Sequence, residues 1–251
     1  MKTVSTPSLS LRKLTFLLIL SIAFFSTACN KEANNSPTEE TITSEETIAL
    51  VEAALVEGAE GIVHEVEDAV EVAELVLEKT LNNTYCGLSK DSTIARTFNR
   101  PRLSGEYSTT WGWMLNCNEQ EVPVNLTFSR EATGTYESLR LTSDDRAESD
   151  WVLDNLVFGT EYVLNGTYKR EGTQASKVRE QKSFSSTVQF TVTDLSVGKI
   201  KRRINSGSAV LLVSGQASSG ENFSFNGTVE FLGDGAATVT INGEVYEIDL
   251  Y

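Results

Sequence analysis

Two hydrophobic periods divide the chain. Between residues 43 and 80, Ile48, Leu55, Ile62, Ala69 and Val76 recur every seven positions. Ala59, Val66 and Ala73 fall four after three of them, and Val56, Val63, Val70 and Leu77 widen the stripe. This spacing predicts an amphipathic helix with an acidic back, opened by the capping box Thr43-x-x-Glu46. Gly58 and Gly61 each cost about 1 kcal/mol relative to alanine inside a helix, so the segment should kink or split there. From residue 100 the period drops to two. Leu103, Gly105, Tyr107, Thr109, Trp111, Trp113, Leu115 and Cys117 share one parity, and Val122, Val124, Leu126 and Phe128 open the next strand. Further strands are expected at 132–142, 151–158, 160–171, 183–193, 207–218, 221–232, 236–241 and 244–250, joined by short Gly/Ser/Asp turns. The fold class is α+β, mainly β: an acidic helix over 43–80, then a curved antiparallel meander of eight to ten strands over 81–251, barrel-like or wrapped. The helical stripe is wider than a coiled-coil seam, which favours packing on the β domain over self-association through residues 43–80.

A recurring glycine motif sharpens the strand assignment. LSGEY (103–107), ATGTY (132–136), LNGTY (164–168), VSGQA (213–217), FNGTV (225–229) and INGEV (241–245) all look like turns. A two-residue hairpin loop must flip the buried parity. Only Asn242-Gly243 does so, between Val239/Ile241 and Tyr246/Ile248/Leu250. In the other copies the strand runs through and glycine lies on its apolar face, where a bend or an overlying side chain must need the space. Tyr107, Tyr136 and Tyr168, each two residues on, are placed to cover the gap.

The N-terminus carries a different signal. Lys2, Arg12 and Lys13 precede the apolar run Leu14 to Phe25, which is too short for a permanent span and reads as an export signal over 1–28. Ser26-Thr27-Ala28-Cys29 resembles the lipobox of bacterial lipoproteins, departing from it at Ser26, where that family usually has leucine. Ser26-x-Ala28 also suits ordinary secretory cleavage. The resemblance implies a diacylglycerol on the Cys29 thiol, cleavage before it, acylation (palmitate) of the new N-terminus and a polar tether over 29–42. Asn30-Lys31-Glu32 resembles the surface-export signal of Bacteroidetes-type lipoproteins, which implies the outer membrane and an outward orientation. The partner so implied is a lipid bilayer, reached through an anchor. Lipidation of Cys29 leaves Cys86 and Cys117 to form a disulfide or to remain buried thiols. A bridge there would contribute roughly 3–4 kcal/mol on the loop-entropy model.

Charge narrows the partners. The chain has 21 Lys+Arg and 35 Asp+Glu. Loss of residues 1–28 removes three basic and no acidic residues, leaving a net charge of −17. That balance argues against nucleic acid, and against an anionic membrane, as a general partner. The stretch 169–203 is locally basic; its Lys199, Lys201, Arg202 and Arg203 are candidates for gripping an anion, for facing the acidic helix, or for ordinary solvated edges. Tyr107, Trp111 and Trp113 form an aromatic row, either a platform for sugar rings or simply core. Asp144, Asp145, Glu148 and Asp150 read as an acid-rich turn lacking calcium-loop spacing. His64, the single histidine, reads as a solvated helix residue. No nucleotide, zinc or nucleophile-elbow motif occurs, so no cofactor, metal or catalytic residue is assigned. The expected function is a non-catalytic binding or structural component of the cell envelope, with a glycan or envelope partner. The alternatives are a glycan-acting enzyme using paired carboxylates, or a self-associating component.

Overall fold

The computed structural model describes residues 42–80, 86–179 and 182–251. The export signal, Cys29 and nearly all of the tether lie outside these residues. Residues 40–251 form one compact unit.

The helical segment splits where its glycines predict. Helix α1 spans Ser44–Leu55, a 3₁₀ turn Glu57–Ala59, and helix α2 Ile62–Thr80. The capping box is closed at both ends: Glu46 N–H donates to Thr43 Oγ1 at 3.1 Å, and Thr43 N–H to Glu46 Oε2 at 3.0 Å. At Gly61 the chain folds back so tightly that a β-carbon would lie 2.7 Å from the Val56 carbonyl oxygen. Only glycine fits there.

Ten antiparallel strands follow in simple meander order: β1 (Ser89–Arg100), β2 (Leu103–Cys117), β3 (Pro123–Ser138), β4 (Leu141–Asp154), β5 (Glu161–Ser176), β6 (Ser183–Gly198), β7 (Ile204–Ala217), β8 (Asn222–Gly233), β9 (Ala236–Ile241) and β10 (Glu244–Asp249). Three expectations need correction. A strand, β1, precedes residue 100. Segments 122–128 and 132–142 belong mostly to one strand, β3. The acid-rich turn at 144–150 is the middle of β4. In each case polar residues at inward positions (Arg96, Arg130, Ser143, Asp145, Ser149) interrupt the apolar alternation that marks a strand.

The sheet wraps but stays open, so the barrel-like reading is corrected too: β1 and β10 do not pair. The helical segment touches both edges instead. Glu57 N–H donates to the Leu250 carbonyl just beyond β10 at 3.1 Å, while the Glu57 carboxylate receives Arg100 of β1 at 2.9 Å. Arg96 of β1 reaches Asp68 at 3.1 Å. The apolar stripe of both helices is spent on the inner face of the sheet, where Leu50, Leu55, Ile62, Val66, Ala69 and Val70 are buried. Opposite them, cross-strand register lines up whole rows, such as Leu115–Leu126–Leu153–Leu164–Leu195 over β2 to β6.

The glycine motif resolves as the parity predicts, with one change. Asn242 and Gly243 both have positive φ, 53° and 83°, and form the β9–β10 turn. Gly105, Gly134, Gly166 and Gly215 lie within strands, each covered by a ring. The ring belongs to the register partner on the adjacent strand, not to the tyrosine two residues on: Phe98 over Gly105, Tyr107 over Gly134, Trp151 over Gly166 and Phe223 over Gly215. The pairing lets a bulky ring lie flat across a position without a side chain. At Gly166 the β5–β6 register also shifts. Cys86 and Cys117 form a disulfide that joins the entry of β1 to the end of β2.

Gly166→Ala should cost about 2–3 kcal/mol, because its β-carbon would lie 2.3 Å from the Asp150 carbonyl oxygen and 2.7 Å from the Trp151 ring. Gly112→Ala, whose nearest obstacle at 2.6 Å is the movable Asp91 carboxylate, should cost well under half as much. Urea denaturation of the two variants checks the ordering.

Candidate functional site

The inner face is filled rather than hollow, and its centre is charged. Arg130 of β3 is fully buried; it bonds Glu60 at the end of the 3₁₀ turn and lies 3.5 Å from Glu65 of α2. Glu65 also accepts the Trp151 indole N–H at 3.0 Å. One row along, Arg170 of β5 donates to the carbonyls of Ala53 at 2.7 Å and Ala59 at 2.6 Å. Helix α1 has no basic residue in its last turn. The sheet therefore supplies the cation that its carbonyl end favours. Arg170 is balanced by Asp145 at 3.6 Å and lies between the rings of Tyr107 and Tyr136, each centred 5.6 Å away. Asp145 accepts from Tyr107 Oη and Ser143 Oγ, both at 2.8 Å, and the chain continues through Gln174 to Ser186. Buried charges need this degree of pairing.

This network absorbs several residues singled out in the sequence. Tyr107 is one of its members. Trp111 and Trp113 are half-buried on the same inner face, with Trp111 stacked on Phe128. Asp145 is inside, whereas Asp144, Glu148 and Asp150 point outward from β4. His64 is not solvated; it is half-buried between Glu60 at 3.6 Å and Asp68 at 3.7 Å. Burial, aided by Arg96 and Arg130, outweighs those carboxylates and keeps its pKa below the usual 6.5. Glu57, His64 and Glu67 bring ligand atoms within 4.8 Å of one another, the one such group among the described residues. Arg100 already neutralises Glu57.

The basic stretch 169–203 faces the acidic helices in part: Arg179 pairs with Glu46 and Arg202 with Glu74, the latter at 2.5 Å. Arg203 covers the Tyr251 ring at 3.7 Å, Lys199 is engaged with the β4–β5 loop, and Lys201 is exposed. Arg130, Glu60 and Glu65 were not singled out by sequence, and Arg170 entered only as one cation of the basic stretch. The signal for the two arginines is a charged residue at an inward parity position of a strand; Glu60 and Glu65 lie in the helical segment, where parity does not apply.

The open concavities lie on the other face. Outward side chains of β1 to β6 line three hollows, of about 540, 750 and 540 Å³, placed along the strands. The first is bordered by Asp91, Glu131, Glu148, Asp150 and Lys169 among Thr110, Ser129, Thr167, Gln189 and Thr191. The second holds Asn99, Glu106, Thr135, Thr142, Asp144 and Thr173. Ion pairs of Arg146 and Lys169 with Glu148 and Glu171 form a ridge beside the first. Register places Glu131 directly opposite Glu148. The first two hollows are rich in hydroxyls and carboxylates, whereas Met114 and Val152 add apolar surface to the third.

Comparison with protein-family models, curated proteins and solved structures finds no match to this chain. Among the described residues no helix is long and apolar enough to cross a membrane.

Two outcomes test the inner network. Arg130→Met strips Glu65 of its ion-pair partner and leaves Glu60 only the more distant Arg96, and should destabilise by about 3–5 kcal/mol in urea denaturation. Glu46 behaves oppositely to Glu65 with pH. Burial raises both; hydrogen bonds from Arg179, Ser176 and the Thr43 backbone reverse it for Glu46, whereas Arg130, Ser149 and Trp151 do not for Glu65. A lowered folded-state pKa gives stability that is present above 4.5 and lost as pH falls below it. A raised one gives stability lost as pH climbs from 4.5 through the folded value. Glu46→Gln should flatten the acid limb of the stability profile and Glu65→Gln its decline above pH 4.5, both read from thermal melts across pH.

Proposed function

We propose that the chain is a lipid-anchored envelope protein that holds a hydroxyl-rich ligand, a glycan, along the outer face of β1 to β6, without catalysis. The observation that supports this reading most is the contrast between the faces. The inner face is occupied by the chain's own helices and charge network, which takes in Tyr107, while Trp111 and Trp113 are half-buried against it and also border the first and third hollows. The outer face presents the large open hollows, and these are lined by side chains that exchange hydrogen bonds with hydroxyl groups. Anchoring through Cys29, with an outer-membrane location, belongs to the same proposal and rests on the lipobox resemblance.

A glycan-cleaving enzyme is the second reading, favoured by the single fact that Glu131 and Glu148 are register partners at the edge of the first hollow.

The protein should retain one or more neutral polysaccharides in an affinity-gel or glycan-array screen. Thr167→Arg and Asp150→Asn should each weaken that retention about tenfold, and absence of binding across the panel would reject the glycan reading. Release of new reducing ends that disappears in Glu131→Gln or Glu148→Gln would move the assignment to the enzyme. Mass spectrometry of the mature N-terminus tests the anchor separately: an unacylated start at Cys29 overturns it.

A further inference from the structure

At one end of the sheet, two neighbouring loops hold apolar side chains out into water. In the β4–β5 loop Leu156 is buried, whereas Val157 is 48% exposed and Phe158 76%. In the β6–β7 turn Ile200 is 95% exposed. Single exposed apolar residues are ordinary, but these are grouped and braced. Lys199 N–H donates to the Thr160 carbonyl at 3.0 Å, and its Nζ donates to the carbonyls of Asn155, Leu156 and Phe158 at 2.6, 3.1 and 2.9 Å. The Lys199 ammonium also lies 4.8 Å from the centre of the Tyr162 ring. The turn is closed by Gly198 N–H to the Arg203 carbonyl at 3.0 Å and Arg202 N–H to the Gly198 carbonyl at 2.8 Å. Ile200 and Phe158 are thus carried on two loops cross-linked by one lysine.

Cations follow Ile200. Lys201, Arg202 and Arg203 are exposed directly after it, Arg202 also pairing with Glu74 and Arg203 lying on the Tyr251 ring, on a chain that is otherwise strongly acidic. Apolar and aromatic tips flanked by Lys and Arg suit the boundary between acyl chains and phosphate headgroups. Apolar residues at the opposite end, Leu139 and Val178, are less exposed, at 60% and 59%. We infer that the paired β4–β5 and β6–β7 loops form a phospholipid-docking tip, with Phe158 and Ile200 entering the headgroup layer and Lys201 and its neighbours meeting lipid phosphates. Because the whole chain is acidic, apolar insertion drives the contact and the cations orient it. The inference extends the envelope reading, but its test does not depend on Cys29.

The compact unit 40–251, which lacks the acylation site, is mixed with vesicles of phosphatidylcholine alone or with added phosphatidylglycerol and assayed by flotation. Binding is expected, and Phe158→Ser/Ile200→Ser should weaken it about tenfold or more. Both side chains are exposed, so the melting curve of the double variant should match that of the parent. Lys201→Glu should weaken binding more on phosphatidylglycerol vesicles than on phosphatidylcholine, and free inorganic phosphate should not displace the protein. Absence of binding to either vesicle, or equal binding by the parent and the double variant, overturns the inference while leaving the anchor to be judged by mass spectrometry.

Discussion

The structure depends on two arginines that the sheet pushes into its own interior. Arg170 donates to the Ala53 carbonyl in the last turn of α1 and to the Ala59 carbonyl of the 3₁₀ turn, and Arg130 takes Glu60 and Glu65 on either side of the start of α2. Together they fix the break between the helices against the centre of β3 and β5. A helix with no basic residue in its last turn leaves its carbonyl end poorly matched; here the sheet corrects the mismatch. Each guanidinium is itself buried, so each in turn demands carboxylates. That demand explains why Asp145 and Glu65 are inside a protein whose remaining acids lie mainly at the surface.

That constraint also shapes the sheet. Polar rows at inward positions leave less apolar surface to drive closure, and the slot between β1 and β10 is spanned by the helical segment through Glu57, Asp68 and their arginines. The strands are free to curl because glycine sits opposite an aromatic at four inner positions, so a ring fills the space of two side chains. The outer hollows are lined by residues of strands β1 to β6 alone, so no loop insertion builds them.

The same residues decide what can be read from sequence. The helix, its break, most strands and the INGEV turn are legible because each rests on a local rule: period, parity or a capping box. β1 and the middle of β4 are hidden because Arg96, Ser143, Asp145 and Ser149 occupy positions where the rule expects apolar side chains. Their partners are far along the chain, as with Trp151 and Glu65, 86 residues apart. No window on a single sequence joins them. His64 was misread for a related reason: its environment is set by Glu60, Asp68 and the β1 arginine Arg96 together. The outer hollows are hidden differently, since Thr110, Thr167 and Asp150 look like any solvent-facing alternation until the sheet bends.

Filling the inner face has a functional corollary. A curved sheet around a hydrophobic hollow would bind an apolar ligand inside; this one has committed its hollow to its own helices, and it does so with ion pairs as well as apolar contacts. Opening that interior would expose Arg130, Arg170, Glu60 and Glu65 at once, and separated buried charges are costly enough to make the helix–sheet interface a poor hinge. The surfaces left open are the polar hollows of β1 to β6 and the braced loops carrying Phe158 and Ile200. The two surfaces differ in chemistry, one hydroxyl- and carboxylate-rich, the other apolar and basic, so they are suited to different partners. The rigid interior holds both in a fixed mutual geometry.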